Sequence, residues 1–121
     1  MNTVLVVDDS KTDQQIVSSF LTQQGITVLT ANNGEEALAT LAQQTPDLVV
    51  LDVVLPDRSG FELCRHIKED SSTSQIPVII CSTKGTEMDK FWGMKQGANA
   101  YLEKPVDQTE LSKTVKQLLG I

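Results

Sequence analysis

Four short segments of the chain place acids, hydroxyls or a lysine at or just beyond the ends of apolar runs. Asp8, Asp9 and Ser10 follow VLVV, Asp52 follows LVVL, Ser82 and Thr83 follow VIIC, and Lys104 and Pro105 follow AYLE. Gathered at one place, Asp8, Asp9 and Asp52 would repel one another, and at least one would carry a raised pKa. A divalent cation removes that conflict. All-oxygen, carboxylate-rich ligation favours Mg²⁺, which takes one or two carboxylates and keeps water or phosphate as its other ligands. A carboxylate can also attack as a nucleophile and form an acyl phosphate. Transfer of a phosphoryl group needs in-line positioning and charge neutralisation, which a metal and Lys104 would supply beside the Ser82 hydroxyl. Each part has a plainer explanation alone. An acid pair after a strand often caps a helix, Asp52 could simply end its strand, and Lys104 could be a surface charge. The combination is what points to chemistry.

These residues can meet only if the strands that carry them lie side by side. Thr3–Val7, Thr27–Ala31, Asp47–Leu51, Val78–Cys81 and Ala100–Glu103 read as five strands. Between and after them run five amphipathic stretches, 11–24, Gly34–Gln43, Gly60–Asp70, Thr86–Gln96 and Asp107–Leu119. The expected inward faces are Ile16, Val17, Phe20 and Leu21 in the first; Ala37, Leu38, Leu41 and Ala42 in the second; Phe61, Cys64 and Ile67 in the third. Phe91 and Met94, with Ala98 beyond, are expected inward in the fourth, and Leu111, Val115, Leu118 and Leu119 in the fifth. Gly25 and Gly97 close two of the helices, and Asp107 is the expected N-cap of the last. Strands that are apolar at every position are buried on both faces, as in a parallel sheet. Right-handed crossovers then give an α/β, doubly wound, five-stranded, three-layer (βα)5 fold. In such sheets ligands bind beyond the C-terminal strand ends, where the polar residues above fall.

Length and composition bound the rest. The chain has 121 residues, the size of one domain, and residues 1–121 are expected to form it without an output domain. Ten Lys and Arg against sixteen Asp and Glu give a net charge of −6. That charge disfavours nucleic acid, because phosphate neutralisation needs cations on the protein. It suits contact with basic or mixed protein surfaces. No apolar run reaches the length of a membrane helix, and the first residues lack the pattern of a signal peptide. Cys64 and Cys81 sit in apolar segments as reduced, buried thiols. A cytoplasmic protein with no membrane insertion is expected.

The segments VLVVDDS (4–10), PDLVVLDVVLPDRSG (46–60), PVIICST (77–83) and GANAYLEKPVD (97–107) together resemble the receiver domains of two-component response regulators, the chemotaxis-regulator-like superfamily. The resemblance runs from Thr3 to the C-terminus. It implies Asp52 as phospho-acceptor, Asp9 as a direct Mg²⁺ ligand, and Asp8 as holder of a metal-bound water. It implies that the Val54 backbone carbonyl completes the metal shell. It further implies Ser82 as the hydroxyl that moves to the phosphoryl group, Lys104 as its lysine partner, a cis Lys104–Pro105 peptide, and Tyr101 as an aromatic switch. The side chains at Val54 and Lys84 would flank the path of hydrolytic water. The implied donor is a histidine kinase or phosphotransfer protein, and the implied output is binding to a downstream protein target. Such a domain is a signalling module and not an enzyme, apart from its own phosphorylation and slow dephosphorylation. Residues 82–107 are similar to single-domain regulators of pilus-dependent, chemotaxis-like systems, including those of phototaxis.

Other functions of the same topology fit less well. A flavin mononucleotide site needs an anion-friendly loop after the first strand, where Asp8 and Asp9 stand. A Mg²⁺-dependent phosphohydrolase usually has a second acid two residues after its nucleophile and a substrate cap. Position 54 is valine, and no insertion could form a cap. A receiver that works unphosphorylated is opposed by the intact acidic set. His66 lies mid-helix, offset from Cys64 and Ile67, as a solvated residue. Trp92 lies at the edge of its helix, as a packing residue or a partner-facing anchor.

Overall fold

The computed structural model describes residues 2–121. Five strands, β1 (Thr3–Val7), β2 (Thr27–Ala31), β3 (Leu48–Leu51), β4 (Val78–Ser82) and β5 (Ala100–Glu103), pair in parallel in the order β2-β1-β3-β4-β5. Five helices alternate with them: α1 (Lys11–Thr22), α2 (Gly34–Gln43), α3 (Gly60–Glu69), α4 (Glu87–Lys95) and α5 (Gln108–Leu119).

Period-two alternation splits the strand side chains between two cores. Val4, Val6, Leu48, Val50, Ile79 and Cys81 face α1 and α5, meeting Val17, Leu21, Leu111 and Val115. Leu5, Val7, Val49, Leu51, Val78 and Ile80 face the other side, meeting Ala37 of α2 and Leu63, Cys64 and Ile67 of α3. The central strands β3 and β4 are buried throughout, and β1 is buried from Val4 onward. The edge strands β2 and β5 are only partly covered, because each has a neighbour on one side only. Both cysteines are buried free thiols, and burial raises their pKa values, to about 11 for Cys64 and about 12 for Cys81.

Side-chain caps set the helix starts. Ser10, Asn33, Ser59, Thr86 and Asp107 each accept a backbone N–H in the first turn, which satisfies donors that have no intrahelical partner. Asp107 is the N-cap expected from the sequence, while Thr86 caps α4 and does not lie within it. Gly25 and Gly97 adopt the expected positive φ, at 79° and 100°.

Three inward faces differ from expectation. Ile16 is 40% exposed, because α1 buries Gln14, Val17 and Leu21 and turns Ile16 off that stripe. Ala42 is exposed at the end of α2. In α4, Phe91 and Met94 are 60% and 48% exposed, and Gly93 is the buried residue. The cause is Tyr101. Its ring lies where a side chain at position 93 would stand, with Cδ2 2.8 Å from an ideal Cβ. The helix therefore approaches β5 through a glycine, and its apolar residues rotate outward. Ala98 is buried as expected, His66 is exposed as expected, and Trp92 lines a groove between α3 and α4 with Phe61 and Arg65.

Candidate functional site

The parallel register carries the chain ends of β1, β3, β4 and β5 to one edge of the sheet. Asp52 follows β3 directly, and its N–H donates to the carbonyl of Val7 at 3.0 Å. That bond ties the aspartate to the end of β1 beside Asp8. One carboxylate oxygen from each of Asp8, Asp9 and Asp52 lies within 4.8 Å of the others. Asp8 and Asp52 are buried, and Asp9 is exposed.

Lys104 reaches this set from beyond β5. Its Nζ donates to Oδ2 of Asp8 at 2.7 Å, of Asp13 at 2.8 Å and of Asp52 at 2.9 Å. The lysine side chain is 8% exposed. Burial works to lower its pKa, but the bonds to Asp13, Asp8 and Asp52 outweigh that effect, and the pKa is raised. The Lys104–Pro105 peptide is cis, as expected. Asp8 also carries a raised pKa, chiefly from burial. The bond from Lys104 and the Ser10 N–H at 3.0 Å oppose the rise, and repulsion from Asp52 adds to it least. Mutual repulsion is the cause expected from the sequence for a raised carboxyl. Desolvation is the larger cause.

The remaining expected residues surround this centre. The Val54 N–H donates to Oδ1 of Asp52 at 3.3 Å, and the Val54 side chain is 50% exposed at the rim. Ser82 is fully buried at the end of β4, and its Oγ accepts the Lys84 N–H at 3.2 Å. The Lys84 carbonyl in turn accepts the Tyr101 hydroxyl. Ser82 and Tyr101 are thus joined through the backbone of one residue, Lys84. Burial of the ring raises the Tyr101 pKa to about 12, so this donor stays protonated at neutral pH.

The donor set fits a hard divalent cation. It consists of carboxylate oxygens from two loops, those after β1 and β3, one of them solvent-facing, with a cationic side chain beside them. Such an arrangement can neutralise and orient an incoming phosphoryl group at Asp52.

Sequence reasoning missed Asp13 and Asp57. Asp13 stands in the first turn of α1, where an acid reads as a helix-dipole charge, yet its carboxylate turns to Lys104. Asp9 lies ahead of the N-cap Ser10 and off the helix, so no helical spacing announces this contact. Asp57 accepts N–H groups of Gly34 and Glu35 at 2.9 and 2.8 Å and so holds the β3–α3 loop against α2. No local pattern announces a contact across that distance in sequence.

A doubly wound sheet with this acidic rim and its lysine defines a class of signalling domain. The chain belongs to the response regulator receiver domain family, whose model matches residues 4–116. Members of this family take phosphoryl groups from histidine kinases and act as phospho-acceptor signalling domains. Among its relatives, Protein PilH of Pseudomonas aeruginosa is 44% identical over 120 residues, covering 99% of each chain. Response regulator PleD of Caulobacter vibrioides is 36% identical over 115 residues. The chain spans nearly all of the first and 25% of the second. Among solved structures, chemotaxis response regulator CheY4 of Vibrio cholerae superposes with a TM-score of 0.90 at 34% identity, covering 98% of each chain. The receiver domain of the Francisella response regulator 1452 superposes with a TM-score of 0.92 at 31% identity, covering 99% of this chain and 98% of that one. No described helix is long and apolar enough to cross a membrane.

Proposed function

We propose that Asp52 is the phospho-acceptor and that the chain acts as a receiver domain. The observation that carries this reading is the contact of Lys104 with Asp52 and Asp8, with Asp9 alongside. A Asp52 carboxylate oxygen attacks the phosphorus of a donor phosphohistidine. The P–N bond breaks, the new P–O bond makes an acyl phosphate, and the electron pair leaves with the imidazole. Asp8, Asp9, Asp52 and the Val54 carbonyl would hold Mg²⁺, which supplies charge neutralisation for the transferring group. Lys104 donates to the phosphoryl oxygens, and the Ser82 hydroxyl turns toward them.

Signalling follows from the link through Lys84. When Ser82 moves, the Lys84 peptide shifts, and the Tyr101 hydroxyl loses or changes its acceptor. The two packings of Tyr101 differ in the surface around α4, β5 and α5, and phosphorylation shifts the population between them. The donor would be a histidine kinase or phosphotransfer protein, the output a change in binding to a downstream protein, and the setting the cytoplasm. Similarity to PilH over the full length, with the motif at 82–107, supports a role in a pilus-dependent, chemotaxis-like system.

The test is intact-mass analysis of wild type and Asp52→Asn after acetyl phosphate and Mg²⁺. A gain of one phosphoryl group in the wild type alone is expected. Equal labelling of both proteins would remove Asp52 from the role.

A further inference from the structure

Lys104 spends all three of its ammonium hydrogens on carboxylates, and one of those, Asp13, lies outside the set that can share a metal. We propose that Asp13 is a positioning residue that restrains Lys104 in the resting site and competes with the phosphoryl group for it. This rests on the reading of Asp52 as phospho-acceptor.

The three partners are not equivalent. The Asp8 and Asp52 side chains are 6% and 10% exposed, whereas that of Asp13 is 38% exposed. Asp13 comes from helix α1, and Asp8 and Asp52 from the strand ends. A phosphoryl oxygen on Asp52 must take a hydrogen from Lys104 to be neutralised by it. The partner most open to water gives up its hydrogen bond at least cost, because water can replace the lysine. That partner is Asp13.

Charge acts in the same direction. Asp8, Asp9, Asp13 and Asp52 set four carboxylates against one ammonium. Converting Asp52 from a carboxylate to a dianionic acyl phosphate adds one further negative charge. The Asp13 carboxylate, in contact with Lys104, opposes that addition both by repulsion and by drawing the lysine toward α1. Asparagine at this position keeps an acceptor for the lysine but removes the charge. Asp13 therefore sets how readily the acceptor site is occupied and how long it stays so.

Beryllofluoride with Mg²⁺ serves as the probe, titrated by amide NMR against wild type, Asp13→Asn, Asp13→Glu and Asp52→Asn. Asp13→Asn should bind about fivefold more tightly than wild type, the size of one unit charge at contact under near-aqueous screening. Asp13→Glu should restore wild-type affinity. Loss of a first-turn acid from α1 would lower the melting temperature without tightening the probe, so thermal melts separate a merely structural effect. If Asp13→Asn binds equally or more weakly while the wild type binds normally, the competition does not exist. If wild type and Asp52→Asn bind the probe alike, the acceptor assignment itself fails and this inference falls with it.

Discussion

The backbone carbonyl oxygen of Asp52 lies 2.0 Å from the place a β-carbon on Gly60 would occupy. Gly60 opens α3, its N–H donates to the Val53 carbonyl at 2.7 Å, and its neighbour Ser59 bridges to Val54. The loop that carries Asp52 thus folds back onto the helix at a point where only hydrogen fits. Gly60→Ala must displace backbone, which has no rotamer to yield. A loss of about 3 kcal/mol is expected, at the upper end of overpacking costs, and urea titration measures it. The surviving folded protein should also take phosphate from acetyl phosphate more slowly. An unchanged denaturation midpoint would show that the loop can move freely away from α3.

Gly93 has the same relation to Tyr101, with a softer neighbour. An added methyl would stand 2.8 Å from Cδ2 of the ring and 3.0 Å from Cδ1 of Ile80. Alanine gains about 1 kcal/mol of helix propensity over glycine. The ring can escape by rotating outward, at the cost of the hydrogen bond from its hydroxyl to Lys84. Gly93→Ala is therefore expected to leave stability within about 1 kcal/mol of wild type while changing the Tyr101 ring resonances. Unaltered ring shifts with unaltered stability would mean that α4 moves instead.

The two glycines mark the boundary of what the sequence discloses. β1, β3 and β4 were plain because a strand buried on both faces is apolar at nearly every residue. The acids, hydroxyl and lysine were plain because a parallel sheet delivers the residues after its strands to one edge. The face of α4 was not plain. Phe91, Met94 and Ala98 make a fair helical stripe, and nothing local says that a tyrosine from β5 will lie against Gly93. Asp13 was hidden for a related reason, since an acid in a first helical turn already has a sufficient explanation. The links that went unread are contacts between elements, which periodicity cannot encode.

Asp9 is the acid that Lys104 does not touch, and it faces solvent. Asp9→Ala should weaken Mg²⁺ binding by removing one of three carboxylates. It should also raise the stability of the metal-free protein by up to about 1 kcal/mol, because crowded like charges are relieved and an exposed site screens the rest. Melts in EDTA and in Mg²⁺ separate the two effects. A variant that melts lower than wild type in EDTA contradicts the repulsion argument.

Asp57 should leave a mark on acid stability. The bonds from the N–H groups of Gly34 and Glu35 hold its carboxyl below the ordinary aspartate value of 3.8. A depressed folded-state pKa means that the charge stabilises the fold fully above the unfolded pKa. That stabilisation is lost as pH falls through the folded pKa. Asp57→Asn removes the titration. The wild type is expected to be the more stable at pH 7, and its advantage should shrink as pH falls from 3.8 through the folded pKa. Denaturation curves at a series of pH values provide the comparison. A gap that widens toward acid would show that the carboxylate does not hold the first turn of α2.

The lifetime of the acyl phosphate proposed at Asp52 is expected to depend on Val54. Hydrolysis breaks the P–O bond to Asp52 as water attacks from the opposite side, giving back the carboxylate and releasing inorganic phosphate. The Val54 side chain is half exposed at the rim, on the residue whose N–H bonds to Asp52. Valine can neither accept a proton from water nor hydrogen-bond it, and its branched side chain is stiff. Lys84 is exposed, its backbone held by Ser82 and Tyr101, and its ammonium, if directed to the rim, would add a favourable charge to the phosphoryl group. Both features are expected to retard hydrolysis. An amide at position 54 could orient the water, and positioning of this kind accelerates attack. Val54→Asn is expected to lose its phosphoryl group about three to ten times faster than wild type, a modest share of what positioning can supply. The measurement is decay of phosphoprotein after donor removal, in the same Mg²⁺ buffer for both proteins. Decay at the same rate, or more slowly in the variant, would show that Val54 does not prolong the signal.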